Sequence, residues 1–270
     1  MKQLGIGQTA YFASDLHLSV RTPRTLAAFE AWLASVANDN TLIYLIGDLF
    51  EVWCGDDYSD ECTERFRTAL TSAQSAGASL HLMHGNRDFL LGDVFAEQCA
   101  AELLPDPEFF SIAGLVNLIT HGDALCTDDK AYQKFRAESR DELWQQRFLS
   151  LPLENRLAIA QQARTESKNH KANMDLDIMD VNPEAVSKCL AGRWPDGTFI
   201  GKNDVIIHGL THRCAVHLAG NSMPKSGRLQ AGMRIVLPDW NFDSPTPERP
   251  KGGYLKVESD AAFELVTWTA

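Results

Sequence analysis

The sequence predicts a layered α/β protein, and three observations carry that expectation. Six apolar runs of strand length recur along the 270 residues, at 9–13, 41–47, 78–85, 115–120, 204–209 and 233–238. Each is rich in Ile, Leu, Val or aromatic residues and closes on glycine or a polar residue, as strands covered on both faces do. The first three are separated by segments of helical period, and strand alternating with helix specifies sheet layers covered by helices.

Taken in order, "TAYFA" leads into "TPRTLAAFEAWLASVAND". There Thr22 stands at the N-cap position, Pro23 suits the first helical turn, and Leu26, Phe29, Leu33 and Val36 form one stripe. "TLIYLIG" is the next strand, and "TERFRTALTSAQSAG" repeats the helical pattern with Phe66, Leu70 and Ala73 before stopping at Gly77. "ASLHLMHG" and "LVNLIT" follow as strands. From about Asp128 to Asn173 strand signals vanish, so residues 128–175 read as a helical insertion within a single domain spanning 1–270. Taken alone, that segment reads as a surface hairpin of two helices. "DVIIHG" and "MRIVLP" resume the strand pattern, and a Pro/Gly-rich stretch precedes a closing strand pair, "YLKVES" and "AFELVTW".

Composition narrows the function. With 44% hydrophobic and 23% charged residues the chain is ordinary for a globular protein, and its net charge of −11 makes nucleic acid a poor partner. The insertion departs from this balance: between Lys130 and Lys171 there are nine Lys or Arg against five Asp or Glu, a locally basic segment suited to an anionic partner. Six cysteines without a CxxC pair read as reduced thiols, which suits the cytoplasm. The first ten residues lack the basic start and apolar block of a signal peptide, and no apolar run approaches the roughly 18 residues of a membrane span.

The chemistry gathers where the apolar runs end. Asp15 and His17 follow the first, Asp48 the second, Asn86, Arg87 and Asp88 the third, His121 and Asp123 the fourth, and His208 and His212 the fifth. Ligands bind beyond the carboxyl ends of strands in open α/β sheets, so five strands deliver Asp, His or Asn to one edge. Carboxylate, imidazole and amide oxygen together suit a borderline divalent ion such as Mn²⁺, Fe²⁺ or Zn²⁺. Either Asp15 or Asp48 alone would more often be a turn or cap residue; coincidence at five strand ends is another matter. His81, His84 and His217 read as structural, while Asp56 and Asp57 are as consistent with a solvated turn as with a ligand.

The set "SDLHLS", "GDLFEVWCGDD", "GNRDF", "THGDALCTDD" and "IIHGLTHR" resembles the calcineurin-like metallophosphoesterases, whose pattern is D-x-H, G-D, G-N-H-D, a later H and G-H-x-H. Within that superfamily, arginine in "GNRD" together with "GDLFEVW", "GDD", "IMDVNP" and "RIVLPDW" is similar to the UDP-2,3-diacylglucosamine hydrolase family of lipid A biosynthesis. The resemblance implies a layered β-sheet core flanked by helices, with the insertion as a lid. It further implies a two-manganese hydrolase that cleaves the pyrophosphate of a lipid-linked nucleotide to 2,3-diacylglucosamine 1-phosphate and UMP. Such an enzyme works as a peripheral protein at the cytoplasmic side of the inner membrane, with no obligate protein partner.

Carried over residue by residue, the resemblance implies Asp15, His17, Asp48 and His212 around a first ion, with Asp48 bridging to a second ion held by Asn86 and His121. Arg87, Asp48 and Asn86 would serve the chemistry, and Asn86, Arg87, Asp129, Tyr132, Ser167 and Lys171 would contact substrate. Two positions depart from the pattern. The first histidine of G-H-x-H is Leu210, which cannot ligate, so the second ion is expected to bind more weakly. In the family's S-x-x-x-N-x-x-K segment only Ser167 fits; Lys171 and Met174 stand at the other two positions. These departures keep two other readings open: a metallophosphoesterase acting on another nucleotide or pyrophosphate, and a lipid-binding relative with weakened turnover. The insertion's Phe135, Leu143, Trp144, Phe148, Leu149, Leu157 and Ile159 would either line an acyl-chain cleft or pack on the core.

Overall fold

A computed structural model of the chain describes residues 2–172, 180–219, 232–244 and 252–268, with side chains described for all of these except 166–172 and 219. Its strands are β1 (Lys2–Gln3), β2 (Thr9–Ala13), β3 (Thr41–Ile46), β4 (Ser79–Met83), β5 (Glu102–Leu104), β6 (Glu108–Ile112), β7 (Leu115–Ile119), β8 (Val205–His208), β9 (Ala215–Ala219), β10 (Gly232–Val236), β11 (Gly252–Glu258) and β12 (Phe263–Trp268). Its helices are α1 (Pro23–Val36), α2 (Glu61–Ser75), α3 (Asp93–Gln98), α4 (Lys130–Ser139), α5 (Glu142–Leu149), α6 (Leu153–Ala172) and α7 (Pro183–Leu190).

The strands form two six-stranded sheets, ordered β12-β11-β2-β3-β4-β5 and β1-β6-β7-β8-β10-β9. The pleat shows how they stack, because alternate residues of a strand face opposite sides. In β3, Ile43 and Leu45 join Phe29, Leu33, Phe66 and Leu70 of α1 and α2, while Leu42, Tyr44 and Ile46 pack against Phe110, Ile119, Val205 and Ile207 of the other sheet. In β8, Val205 and Ile207 face that shared interior, whereas Ile206 packs outward with Ala185, Val186 and Cys189 of α7. The result is helix, sheet, sheet, helix, and both faces of β3 and β8 are buried. The five strand ends that carry the polar residues therefore belong to two facing sheets rather than to one.

The helix stripes lie where the periodicity places them: Leu26, Phe29, Leu33 and Val36 of α1 and Phe66, Leu70 and Ala73 of α2 are buried. The capping of α1 differs from expectation. Thr22 occupies the N-cap but makes no capping bond, its hydroxyl being taken up with Ser19. The distant Asp243 carboxylate accepts from the N–H groups of Arg24 and Thr25 instead, at 3.2 and 2.9 Å.

The insertion contains three helices among the described residues, α4 to α6, rather than a two-helix hairpin. Much of its positive charge is directed inward. Arg136 and Arg140 lie 2.9 and 3.5 Å from the buried Asp123, and Arg164 pairs with Glu51. Arg156 of α6 is buried and donates to the carbonyls of Leu151 and Cys54 and to Asp57. Because Asp57 is largely exposed, most of the value of this contact lies with the two carbonyls. Arg156→Ala is expected to cost roughly 2–3 kcal/mol by leaving acceptors unpaired. Denaturant unfolding checks the loss, and amide exchange should rise in α5 and α6.

Candidate metal centre

Hydrogen bonds between loops hold the strand ends together. Asp15 N–H donates to the Gly47 carbonyl at 3.1 Å, His17 N–H to that of Asp48 at 3.0 Å, and Gly209 N–H to that of His121 at 3.1 Å. The buried Asp88 carboxylate braces two loops at once, accepting from Gly85 N–H at 2.7 Å and Leu49 N–H at 2.6 Å. Close approach explains two glycines: a Cβ on Gly85 would lie 2.1 Å from the Asp48 nitrogen, and one on Gly209 would lie 2.2 Å from Asp15 Oδ2. Asp15, His17, Asp48, Leu210 and His212 all adopt positive φ, between 47° and 67°, a conformation costly for residues other than glycine and one that clusters at functional sites.

These loops bring six of the expected residues together. His17 Nε2 faces His212 Nε2 at 3.3 Å, with Asp15 Oδ1 3.9 Å from the first and 3.4 Å from the second. Asp48 stands between two groups, its Oδ2 3.8 Å from His17 Nε2 and its Oδ1 3.6 Å from His121 Nε2. Asn86 Oδ1 lies 3.1 Å from the same His121 nitrogen. Two sets of ligand atoms thus converge: Asp15, His17 and His212, and Asp15, Asp48 and His121. Asp15 as well as Asp48 is within reach of the second set, which the sequence pattern did not place there.

The donor set fits a divalent cation. Ligand atoms about 2.1 Å from an ion stand about 3.0–3.4 Å apart in octahedral or tetrahedral geometry, close to the spacings above. Asp15 Oδ1 is buried without a hydrogen-bond partner, an arrangement costly unless a cation meets it. Electrostatics agree. Burial opposes protonation of His121, yet Asp48, Asp15, Asp123 and Asp88 outweigh it and push its pKa up to about 9. Burial likewise opposes ionisation of Asp15, but the adjacent His212, with His121 and His17, holds its carboxyl well below the usual range. The pocket has excess negative charge that positive charge must balance.

Two acidic residues outside the motif positions stand beside the imidazoles. His17 Nδ1 lies 3.1 Å from Glu51 Oε2, and His212 Nδ1 lies 3.5 Å from Asp239 Oδ2, so a carboxylate stands beside each Nδ1 while the Nε2 atoms face one another in the cluster. Both carboxylates belong to quoted segments, "GDLFEVW" and "RIVLPDW"; their position just past a strand end was the available signal. Glu51→Ala should weaken metal binding roughly 10–100-fold, the scale of outer-sphere partners. Isothermal titration with Mn²⁺ tests this, and Glu51→Gln should lose less because it keeps a side-chain oxygen beside Nδ1.

The other expected site residues fall differently. Arg87 borders the cluster, with its N–H on Asp48 Oδ1 at 2.8 Å and Nη1 3.9 Å from Glu51. Asp129 caps α4 through Tyr132 N–H, and the Tyr132 hydroxyl donates to the buried Asp123 at 2.5 Å, so both have structural partners. The side chains of Ser167 and Lys171, and all of Met174, lie outside the described residues. Leu210 packs against the apolar cluster around α7, while its N–H donates to Asp15 Oδ2 at 2.9 Å. His208 is buried with Nδ1 2.9 Å from the Gly209 carbonyl and belongs to neither ligand group. Asp56 caps α3 and Asp57 pairs with Arg156; both are structural.

No protein-family profile matches the chain. Over 270 residues it is 39% identical to a UDP-2,3-diacylglucosamine hydrolase of Bordetella parapertussis, covering 98% of each chain. To the protein of that name from Xanthomonas axonopodis pv. citri it is 37% identical over 266 residues, covering 94% of this chain and 97% of that one. Among solved structures, an archaeal phosphodiesterase aligns over 96% of this chain and 99% of its own, with a TM-score of 0.39 and 11% identity. At such identity over nearly the full length of both sequences, the chain belongs to the UDP-2,3-diacylglucosamine hydrolase family.

Proposed function

We propose that the protein is a metal-dependent hydrolase that cleaves the pyrophosphate bond of UDP-2,3-diacylglucosamine, giving 2,3-diacylglucosamine 1-phosphate and UMP. The observation that carries this reading is the full-length relationship to the hydrolases of that name, and the Asp/His convergence at the strand ends supports it. Asp15, His17, Asp48 and His212 would hold one ion, and Asp48, Asn86 and His121, with Asp15 nearby, a second; Mn²⁺ suits the mixed oxygen and imidazole donors. When bound, such ions supply an activated water and neutralise phosphoryl charge.

The remaining chemistry rests on side chains. Arg87 presents a planar cationic fork where phosphoryl charge develops, and its backbone bond to Asp48 ties that fork to the ligand cluster. Asn86 directs its amide oxygen to the cluster and leaves its amide N–H donors for a phosphoryl oxygen. Helices α4 to α6 would serve as the lid, and in them Phe135, Leu143, Leu149 and Ile159 are exposed and available to acyl chains. Leu157 is half-buried; Phe148 is buried and Trp144 packs beside it on the core, so these two serve packing. Among the described residues no helix is long and apolar enough to cross a membrane, which accords with peripheral attachment to the inner-membrane surface.

The test is direct. Purified protein with Mn²⁺ should release UMP from UDP-2,3-diacylglucosamine, stop on chelation, and act far more slowly on soluble UDP-sugars. Faster turnover of the soluble compounds would reject the lipid assignment.

A further inference from the structure

Beside the candidate metal centre, and sharing His212 with it, lies a cavity of about 600 Å³. Its walls include His212, Arg213, Ala215, Arg234, Pro238 and Asp239, with Asp180 across from the arginines. Its place follows from the two imidazoles. His17 and His212 meet through Nε2 and turn their Nδ1 atoms outward, His17 toward Glu51 and Arg164 of α6, His212 toward Asp239 in the cavity wall. The helical insertion thus borders the ligand cluster at His17 and the cavity borders it at His212.

The lining sets charged side chains beside apolar surface. Arg213 Nη1 lies 2.8 Å from Asp180 Oδ2, and Arg234 Nη1 lies 3.7 Å from Asp180 Oδ1, so one carboxylate is set between two guanidiniums. Among the described residues Asp239 adds a second carboxylate, so two arginines and two aspartates stand in the wall. Whereas a second phosphate would call for cations without paired carboxylates, such a wall offers donors, acceptors and apolar surface together. It suits a neutral polar group carrying both donors and acceptors. A guanidinium has five N–H donors, more than a single oxygen at 3.7 Å consumes, and a carboxylate accepts from a vicinal diol.

We infer that this cavity is the nucleoside subsite, taking the ribose and pyrimidine base of the substrate while the pyrophosphate lies over the ligand cluster and the acylated sugar extends under the lid. The assignment rests on the hydrolase reading above and adds to it the location of the leaving nucleotide. Arg234 meets the base carbonyls, Asp180 and Asp239 accept from the ribose hydroxyls, and Ala215 with Pro238 forms the apolar part of the wall. The volume falls within the roughly 300–1,000 Å³ of small-ligand sites.

The experiment is titration of UMP into protein supplied with Mn²⁺. Wild-type protein should bind UMP, and binding should shift the ring resonances of His217, which also lines the cavity. Arg234→Met and, independently, the cavity-filling Ala215→Phe should each weaken UMP at least tenfold, leaving affinity for inorganic phosphate and the unfolding midpoint near wild type. Absence of UMP binding to wild type, an unshifted His217, or undiminished affinity in both folded variants would overturn the assignment. If UMP binds in the cavity as described but the lipid substrate is not cleaved, the subsite stands and the hydrolase reading falls. Cleavage with no UMP response in the cavity gives the converse.

Discussion

Alanine in place of Asp48 is expected to abolish turnover and, with it, the response of the protein to divalent metal. Asp48 is 2% exposed and contributes one oxygen toward His17 and the other toward His121, so its loss removes a ligand from both groups. The drop in rate should exceed the roughly 10²–10³-fold that loss of a single charge-stabilising group costs. A bound cation stabilises the folded state by about 2.7 kcal/mol at a concentration of 100 Kd, and that increment should vanish in the variant. Without metal the two proteins should unfold within a few degrees of one another. The variant loses the bond from Arg87 N–H, but it also removes a charge that, after burial, contributes most to raising the Asp88 carboxyl. Release of UMP and thermal melts with and without Mn²⁺ measure both effects. Retained cleavage in the alanine variant would defeat the proposed centre.

Histidine in place of Leu210 is expected to act in the opposite direction. The backbone at 210 already stands beside the cluster, with its N–H on Asp15, and its φ of 67° is one that histidine adopts more readily than most residues. A side chain built there starts beside Asp15, which the second group shares with Asp48 and His121. Leu210→His should raise bound Mn²⁺ from near one ion to near two and increase turnover on the order of 10–100-fold, the range over which metal sites respond to an added or lost partner. The cost is part of the apolar packing against the α7 cluster, about 1 kcal/mol. Equilibrium dialysis with elemental analysis, run beside initial rates, decides the matter. An unchanged stoichiometry and rate would show that the leucine does not limit the enzyme.

Local patterns carried much of this structure. The apolar runs beginning at Thr9, Thr41 and Leu115 are strands over nearly the stretches read from the sequence, because a strand buried on both faces has few alternatives in so short a run. Asp15, His17, Asp48, Asn86, His121 and His212 were legible as a group, since each ends such a run. The capping of α1 by Asp243 was not legible, nor were the partners of Arg136, Arg140, Arg156 and Arg164: a basic stretch looks alike in sequence whether its charges face solvent or buried carboxylates.

What the sequence determined alone was the chemistry available and the points in the chain where it is offered, since side-chain type and strand ends are local properties. Only the tertiary structure decided which of those points meet. His17 and His212 are 195 residues apart and belong to loops of different sheets, and the cavity between Asp180, Arg213 and Asp239 exists only because β8 and β10 pair in parallel beside them. Such meetings depend on long-range strand pairing and on burial of one shared interior, and no window of neighbouring residues encodes either.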